Sequence, residues 1–165
     1  MGHHHVTDRD ARPLPPADRT VVGWREWIHL PELLDGGWIK AKVDTGARTS
    51  ALHAWDVERF GRDGADWVRF SVHPRQHDDA HVVQAEAQLL EEREVRSSNG
   101  DVELRPVVRT TLALGAQRYG IELTLTKRDQ MGFRMLLGRT AMARHLLVDP
   151  GSSYLLGGDR HAPPG

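Results

Sequence analysis

The sequence predicts an all-β domain with one short helix near its C-terminal end. Three observations carry this expectation. Apolar and polar residues alternate in Ile39 to Val43, Trp67 to Val72, Val83 to Leu89 and Ile121 to Leu125, the period-two pattern of strands with one buried face. Clusters of turn formers, Gly36-Gly37, Ser97-Ser98-Asn99-Gly100 and Gly115-Ala116-Gln117, separate the runs. Only the stretch after Leu136-Leu137-Gly138, from Arg139 to His145, reads as one or two turns of helix, with Thr140 as its N-cap.

In chain order, residues 1–19 are polar and proline-rich without a period, and residues 159–165 resemble them, so both are expected to be disordered tails around one domain at 20–158. His3 to His5 have the look of a tag remnant. Val21 to Trp27 forms the first strand and pairs as a hairpin with the strand that ends at Val43. An Asp-Thr-Gly turn follows, and an apolar strand resumes at Ser50-Ala51-Leu52. After Trp67 to Val72 comes a loop rich in charge and histidine, His73 to His81. Val82 to Val95 has the composition of a helix, but its alternation and the turn at Ser97 to Gly100 before the β-like run Val102 to Leu114 make it a strand. Tyr119 to Thr126 and Phe133 to Gly138 continue the sheet, and Tyr154 to Leu156 is expected to close it as a terminal strand. No repeat of fixed period occurs.

Composition narrows the function. With 165 residues and 39% hydrophobic content, the chain fits one domain. Its 22 basic and 23 acidic side chains are interspersed and the net charge is -1, which leaves no basic face for nucleic acid. No apolar run approaches the roughly 20 residues of a membrane span, and the N-terminus lacks a signal-peptide core, so a soluble, cytoplasmic protein without a membrane partner is expected. The absence of cysteine excludes disulfides, thiolate catalysis and Cys-based zinc sites.

The chemistry concentrates around Asp44-Thr45-Gly46, where an alternating strand delivers a carboxylate into a tight turn. The tripeptide alone is equally the composition of an ordinary Asx-type turn. Its context is more specific. Val43-Asp44-Thr45-Gly46-Ala47, followed far downstream by Leu136-Leu137-Gly138-Arg139 and a short helix, resembles the two signature segments of retropepsin-like aspartic proteases, in their order. Val22-Gly-Trp-Arg-Glu, Lys42 to His53 and Met135-Leu-Leu-Gly-Arg are similar more closely to the bacterial family labelled ATP-dependent zinc proteases. The resemblance implies a closed or nearly closed acid-protease barrel and a peptide or protein substrate. Because some members occur beside glutamate ligases, it also implies that the substrate is acidic or glutamate-rich.

One carboxylate cannot be general base and general acid at once, whereas two that share a proton can. With a single Asp-Thr-Gly, the chain is expected to form a homodimer in which each subunit contributes Asp44, while the Thr45 hydroxyl and Gly46 fix the loop. The resemblance places a flap at the hairpin turning through Ser97, Ser98, Asn99 and Gly100, which is otherwise a plain surface hairpin. Leu137, Gly138 and Arg139 form the structural signature. Retroviral members carry acidic residues just after Asp-Thr-Gly-Ala, one of which pairs with the signature arginine. Here Arg48 stands there, so Arg139 is expected to find another carboxylate, and Arg48, beside Ala47, becomes a binder of substrate carboxylate or a structural arginine paired within the chain. Arg109, Arg128 and Arg134 are further arginines for the same role.

Neither a His-Glu-x-x-His motif nor a phosphate-binding Gly-x4-Gly-Lys motif supports the zinc and ATP of that label, and no metal or other cofactor is expected. The best metal grouping is His73, His77 and His81 with Asp78 and Asp79, on a segment that Pro74 marks as a loop. His53 beside the Asp loop is another metal candidate or a hydrogen-bonded strand histidine. Trp24, Trp27, Trp38, Trp55 and Trp67 are expected in the core and a dimer interface. The rivals to an aspartic peptidase are a peptide-binding module of the same fold and a metal-dependent peptidase.

Overall fold

A computed structural model describes residues 14–15, 18–34, 37–74, 82–96, 99–127 and 132–157. The strands are β1 (Thr20–Val22), β2 (Arg25–His29), β3 (Trp38–Val43), β4 (Ser50–His53), β5 (Trp55–Arg62), β6 (Ala65–Val72), β7 (Val83–Arg96), β8 (Val102–Leu114), β9 (Gln117–Thr126), β10 (Met135–Leu137) and β11 (Leu146–Val148). A single helical turn, α1 (Arg139–Met142), follows β10.

Nine strands form one sheet in the order β2-β3-β10-β4-β9-β8-β7-β6-β5, and a further pairing of His29 with Ala113 joins β2 to β8. That pairing closes β2, β3, β10, β4, β9 and β8 into a six-stranded barrel, while β7, β6 and β5 continue the sheet outward from β8. The alternation read from the sequence is realised directly. Ile39, Ala41 and Val43 of β3 point into the core with Ile28 of β2, while Lys40 and Lys42 lie on the outer face. Leu52, Leu112, Leu114, Leu123, Leu125, Met135 and Leu137 fill the same barrel. Val68, Phe70, Ala85 and Ala87 extend the core beneath the outer strands. Each fully buried Leu or Ile contributes about 2 kcal/mol by its removal from water.

β10 positions the site. It lies between β3 and β4, parallel to the first and antiparallel to the second, so the chain leaving β3 must arch over its end to enter β4. Both faces of this short strand are buried, which is why it reads as the continuous apolar run Met135-Leu136-Leu137.

Several expectations need correction. The strand expected at Val21 to Trp27 is two strands, broken where Gly23 passes the backbone of Ser152 so closely that a Cβ would lie 2.1 Å from its carbonyl oxygen. The terminal strand is β11, parallel to β1, and not Tyr154 to Leu156. That later segment has no strand partner among the described residues and is held by the Arg25 carbonyl, which accepts Tyr154 N–H at 3.0 Å, and by Glu26, a buried side chain whose carboxylate accepts the N–H groups of Gly23, Leu155 and Leu156 at 2.6, 3.0 and 3.1 Å. Thr140 is not the cap of α1: Gly138 occupies the N-cap position, without any side-chain cap. The five tryptophans are all half-buried, so none belongs to the core proper. Strand β5 was not anticipated. Among the described residues no helix is long and apolar enough to cross a membrane.

Candidate active site

Val43 ends β3 with its N–H on the Trp24 carbonyl at 2.8 Å, and the next N–H, that of Asp44, reaches the Leu137 carbonyl at 2.9 Å. The Asp44 loop is therefore tied to the end of β10 at its first residue. Its return is tied as well: Ala47 and Arg48 offer their carbonyls to the N–H groups of Arg139 and Thr140 at 2.7 and 3.0 Å, and the buried Ser50 hydroxyl oxygen accepts from Gly138 N–H at 3.0 Å. Gly138 makes this closure possible. A Cβ there would lie 2.5 Å from both the carbonyl carbon and oxygen of Thr49 and 2.9 Å from Ser50 N. The two signature segments, ninety residues apart in the chain, thus form one hydrogen-bonded unit.

Within the loop, Gly46 N–H donates to Asp44 Oδ1 at 2.9 Å and orients the carboxylate. Asp44 is half-buried, while Thr45 and Gly46 are exposed on the single chain. The Arg139 guanidinium donates to the Thr45 carbonyl at 3.1 Å. This corrects the expectation of a carboxylate partner for Arg139: a main-chain oxygen of the loop takes that place, and among the described residues no carboxylate pairs with it. Thr45 also acts differently from expectation, holding the loop through its carbonyl and not its hydroxyl, which has no partner among the described residues. Arg48 is exposed, and no carboxylate of the described residues meets it.

The sequence did not single out the residues beside the loop. Arg25 and Lys42 are direct neighbours across β2 and β3, and Lys40 follows on the same outer face. Arg25 lies over the rings of Trp24 and Tyr154 at 4.5 and 4.8 Å, and Lys40 over Phe133 at 5.4 Å. Burial, with Arg25 as a second cause, holds the Lys40 ammonium below its ordinary pKa. Alternating lysines in β3 were visible in the sequence, but the arginine that joins them comes from another strand.

The hairpin expected as a flap is formed by β7 and β8, paired from Arg96 and Val102 inward. Ser97 and Ser98 lie outside the described residues. Gly100 has φ 92° and its carbonyl accepts from Arg96 at 3.1 Å, while Asn99 Oδ1 accepts from Asp101 N–H at 3.3 Å. These contacts are local to the hairpin, and neither reaches the Asp44 loop.

Of the metal candidates, His77, Asp78, Asp79 and His81 lie outside the described residues, as does Arg128. His73 packs on Trp55 with ring centroids 4.0 Å apart, and His53 is 5.9 Å from the same ring. Among the described residues no group of three or more His, Cys, Asp or Glu side chains is placed to hold a metal ion. Arg134 is buried, and Arg109 of β8 lines a cleft that contains no residue of the Asp44 loop.

A six-stranded barrel in which an Asp-Thr-Gly loop is locked to a Leu-Gly-Arg strand and helix defines the retropepsin class. The sequence pattern of the RimB-like family, described as the retropepsin-like aspartic endopeptidase RimB, matches residues 21–157, and this chain belongs to that family. A solved structure from Legionella pneumophila, of a protein with unknown function, superposes with a TM-score of 0.70 at 25% identity, covering 83% of this chain and 98% of that one. Among curated proteins, the chain is 50% identical over 139 residues to a probable alpha-L-glutamate ligase of Parasynechococcus marenigrum, and 44% identical over 140 residues to one of Shewanella halifaxensis. These matches cover 84% and 85% of this chain but 30% of each relative.

Proposed function

We propose that this chain supplies one half of an aspartic peptidase site, completed when a second copy brings its own Asp44 against the first. The observation that carries the proposal is a single oriented carboxylate on an exposed Thr-Gly turn that is rigidly held from behind by β10 and α1. Such rigidity suits a catalytic group, which must be placed to within a fraction of an ångström. The exposed Gly46 and the Thr45 hydroxyl, which has no partner among the described residues, fit a surface that another subunit covers. In the dimer, the ionised carboxylate of the pair takes a proton from a water held between them. The protonated one polarises the scissile carbonyl, and the water oxygen attacks the carbonyl carbon. The proton then passes to the departing amine, and the pair is restored with one proton shared. The β7–β8 hairpin is the element that would fold over the bound peptide.

Glutamate-rich peptides fit this reading as substrates. Arg25, Lys42 and Lys40 lie on the strands that lead into the Asp44 loop, Arg48 is an exposed residue of the loop itself and Arg139 holds its Thr45 carbonyl, whereas Glu26 of β2 is buried and faces main-chain N–H groups. The similar proteins named as probable glutamate ligases agree with a glutamyl substrate. Those same names favour one second reading, a module that binds glutamyl peptides without cutting them.

Mass-spectrometric identification of cleaved bonds in acidic peptides, using the native protein and its Asp44→Asn variant, separates the two. Cleavage by the native protein and none by the variant supports the peptidase, and equal cleavage by both refutes it. Cleavage abolished by EDTA but retained in Asp44→Asn points to metal-dependent hydrolysis. Binding without cleavage by either protein leaves the module.

A further inference from the structure

A second cleft lies away from the Asp44 loop. It encloses about 730 Å³ over the outer faces of β6, β7 and β8, with the chain after β2 as one wall, and none of its lining residues belongs to the Asp44 loop, β4, β10 or α1. Strand register sets Trp67, Gln88 and Arg109 in one row across its floor. Two of its three arginines are already engaged. Arg62 and Arg69 both bind Glu86, at 2.6 and 2.9 Å, and Arg62 stacks over Trp67 at 4.6 Å. The carboxylate of Glu32, on the opposite wall, accepts Thr111 N–H at 2.9 Å and the Thr110 hydroxyl at 3.3 Å.

Arg109 is the exception. Among the described residues no carboxylate forms an ion pair with it, although it shares the cleft with Glu32 and Glu86 and stands opposite Glu122 of β9, which meets Arg93 at 3.6 Å. Its guanidinium lies against Gly120 of β9, where a Cβ would approach Nη2 to 2.9 Å, so the missing side chain at 120 gives the planar group its resting place. Gln88 is the register neighbour of Arg109 and Thr111 lines the same cleft, so the planar guanidinium, with these two polar side chains in the lining, offers paired donors in the geometry of a carboxylate.

We propose that this cleft is an exosite for a glutamate side chain or C-terminal carboxylate of an acidic peptide, held by Arg109 with Gln88 and Thr111. The choice of an acidic peptide rests on the substrate reading above, while the site itself rests on the cleft geometry. A long peptide engages Arg109 and the cationic rim of the Asp44 loop together. The second contact is then intramolecular, and long acidic chains are retained over short ones.

The test measures binding by fluorescence anisotropy on the full chain carrying Asp44→Asn, which removes the proposed catalytic carboxylate. The probes are labelled oligoglutamate and oligoglutamine peptides of equal length. Arg109 is exposed, so Arg109→Gln is expected to leave the melting temperature unchanged, and Arg109→Lys controls for charge without the planar fork. Oligoglutamate binding should weaken about tenfold in Arg109→Gln and partly recover in Arg109→Lys, as for loss of one charge-assisted contact. Unchanged oligoglutamate binding in Arg109→Gln overturns the exosite. So does an equal loss for oligoglutamine, or no binding of oligoglutamate by the parent. Arg109-dependent binding in a protein whose native form cleaves nothing upholds the exosite and rejects the peptidase instead.

Discussion

Replacing Gly138 with alanine tests whether the Asp44 loop is built on β10 by direct backbone contact. Gly138 has φ -95° and ψ 175°, an extended conformation that alanine adopts freely, so the substitution introduces no backbone strain. Its whole effect comes from the added methyl, which would stand 2.5 Å from the carbonyl carbon and oxygen of Thr49 and 2.9 Å from Ser50 N. All three are main-chain atoms of the peptide unit at which the loop enters β4, and no side-chain rotation relieves them. Overpacking of this kind costs about 1–3 kcal/mol. Pushing the segments apart also stretches the Gly138 to Ser50, Arg139 to Ala47 and Thr140 to Arg48 bonds, each worth about 1 kcal/mol net. If all three bonds are lost the expected cost is about 4–6 kcal/mol, or a fall of roughly 10–20 °C in Tm for a chain of this size. Urea unfolding followed by tryptophan fluorescence measures the first and a thermal melt the second. A Gly138→Ala protein within about 0.5 kcal/mol of the parent would refute the argument.

Other substitutions separate contact from conformation and charge. Gly100→Ala meets nothing within 4 Å but must hold φ 92°, so it should cost about 1 kcal/mol by urea unfolding, well below Gly138→Ala. Glu26→Gln keeps the shape of a buried side chain while converting one of its acceptor atoms into a donor facing main-chain N–H groups. A loss of about 2 kcal/mol is expected, and an unchanged urea midpoint would show that the 155–156 segment is held otherwise. His29 has its pKa lowered by burial and then by the nearby Arg118. The unfolded chain therefore binds a proton more readily than the folded one, so stability falls as pH drops below about 6.5 and levels once folded His29 is itself protonated. Urea midpoints at about pH 7.5 and pH 5.5 should converge in His29→Gln, and an unchanged difference would remove His29 as the cause.

The parts of the fold legible from residues alone were those with one face in the core and one in solvent. β3, β7, β8 and β9 each alternate over long stretches, and the helix-like composition of β7 gave way to tertiary pairing on both its sides. β5 escaped because it is the outermost strand of the sheet, with a bulge between Trp55 and Glu58 that shifts the parity of its few apolar residues. Tyr154 to Leu156 misled because an apolar run looks like a strand whether or not a partner edge exists, and its real anchor is a glutamate about 130 positions earlier.

At the candidate site, Asp44-Thr45-Gly46 and Leu137-Gly138-Arg139 were recognisable as sequence. That Gly138 permits the contact, that Ser50 receives its N–H, and that Arg139 holds a carbonyl are facts of packing that no local pattern encodes. Arg109 shows the same limit. Its sequence neighbourhood is a plain strand, and its place in a cleft with Gln88 and Thr111, without an ion pair among the described residues, emerges only when β6 to β9 lie side by side.

The claim that Asp44 is half of a shared site is tested most directly by mixing subunits. Native and Asp44→Asn chains are combined in equal amounts, unfolded and refolded together, and assayed on an acidic peptide against an equal total of native chain. A site that needs two aspartates retains activity only in native pairs, about one quarter of the dimers formed. The account predicts that quarter, and retention of about half the activity would mean that each chain cuts alone.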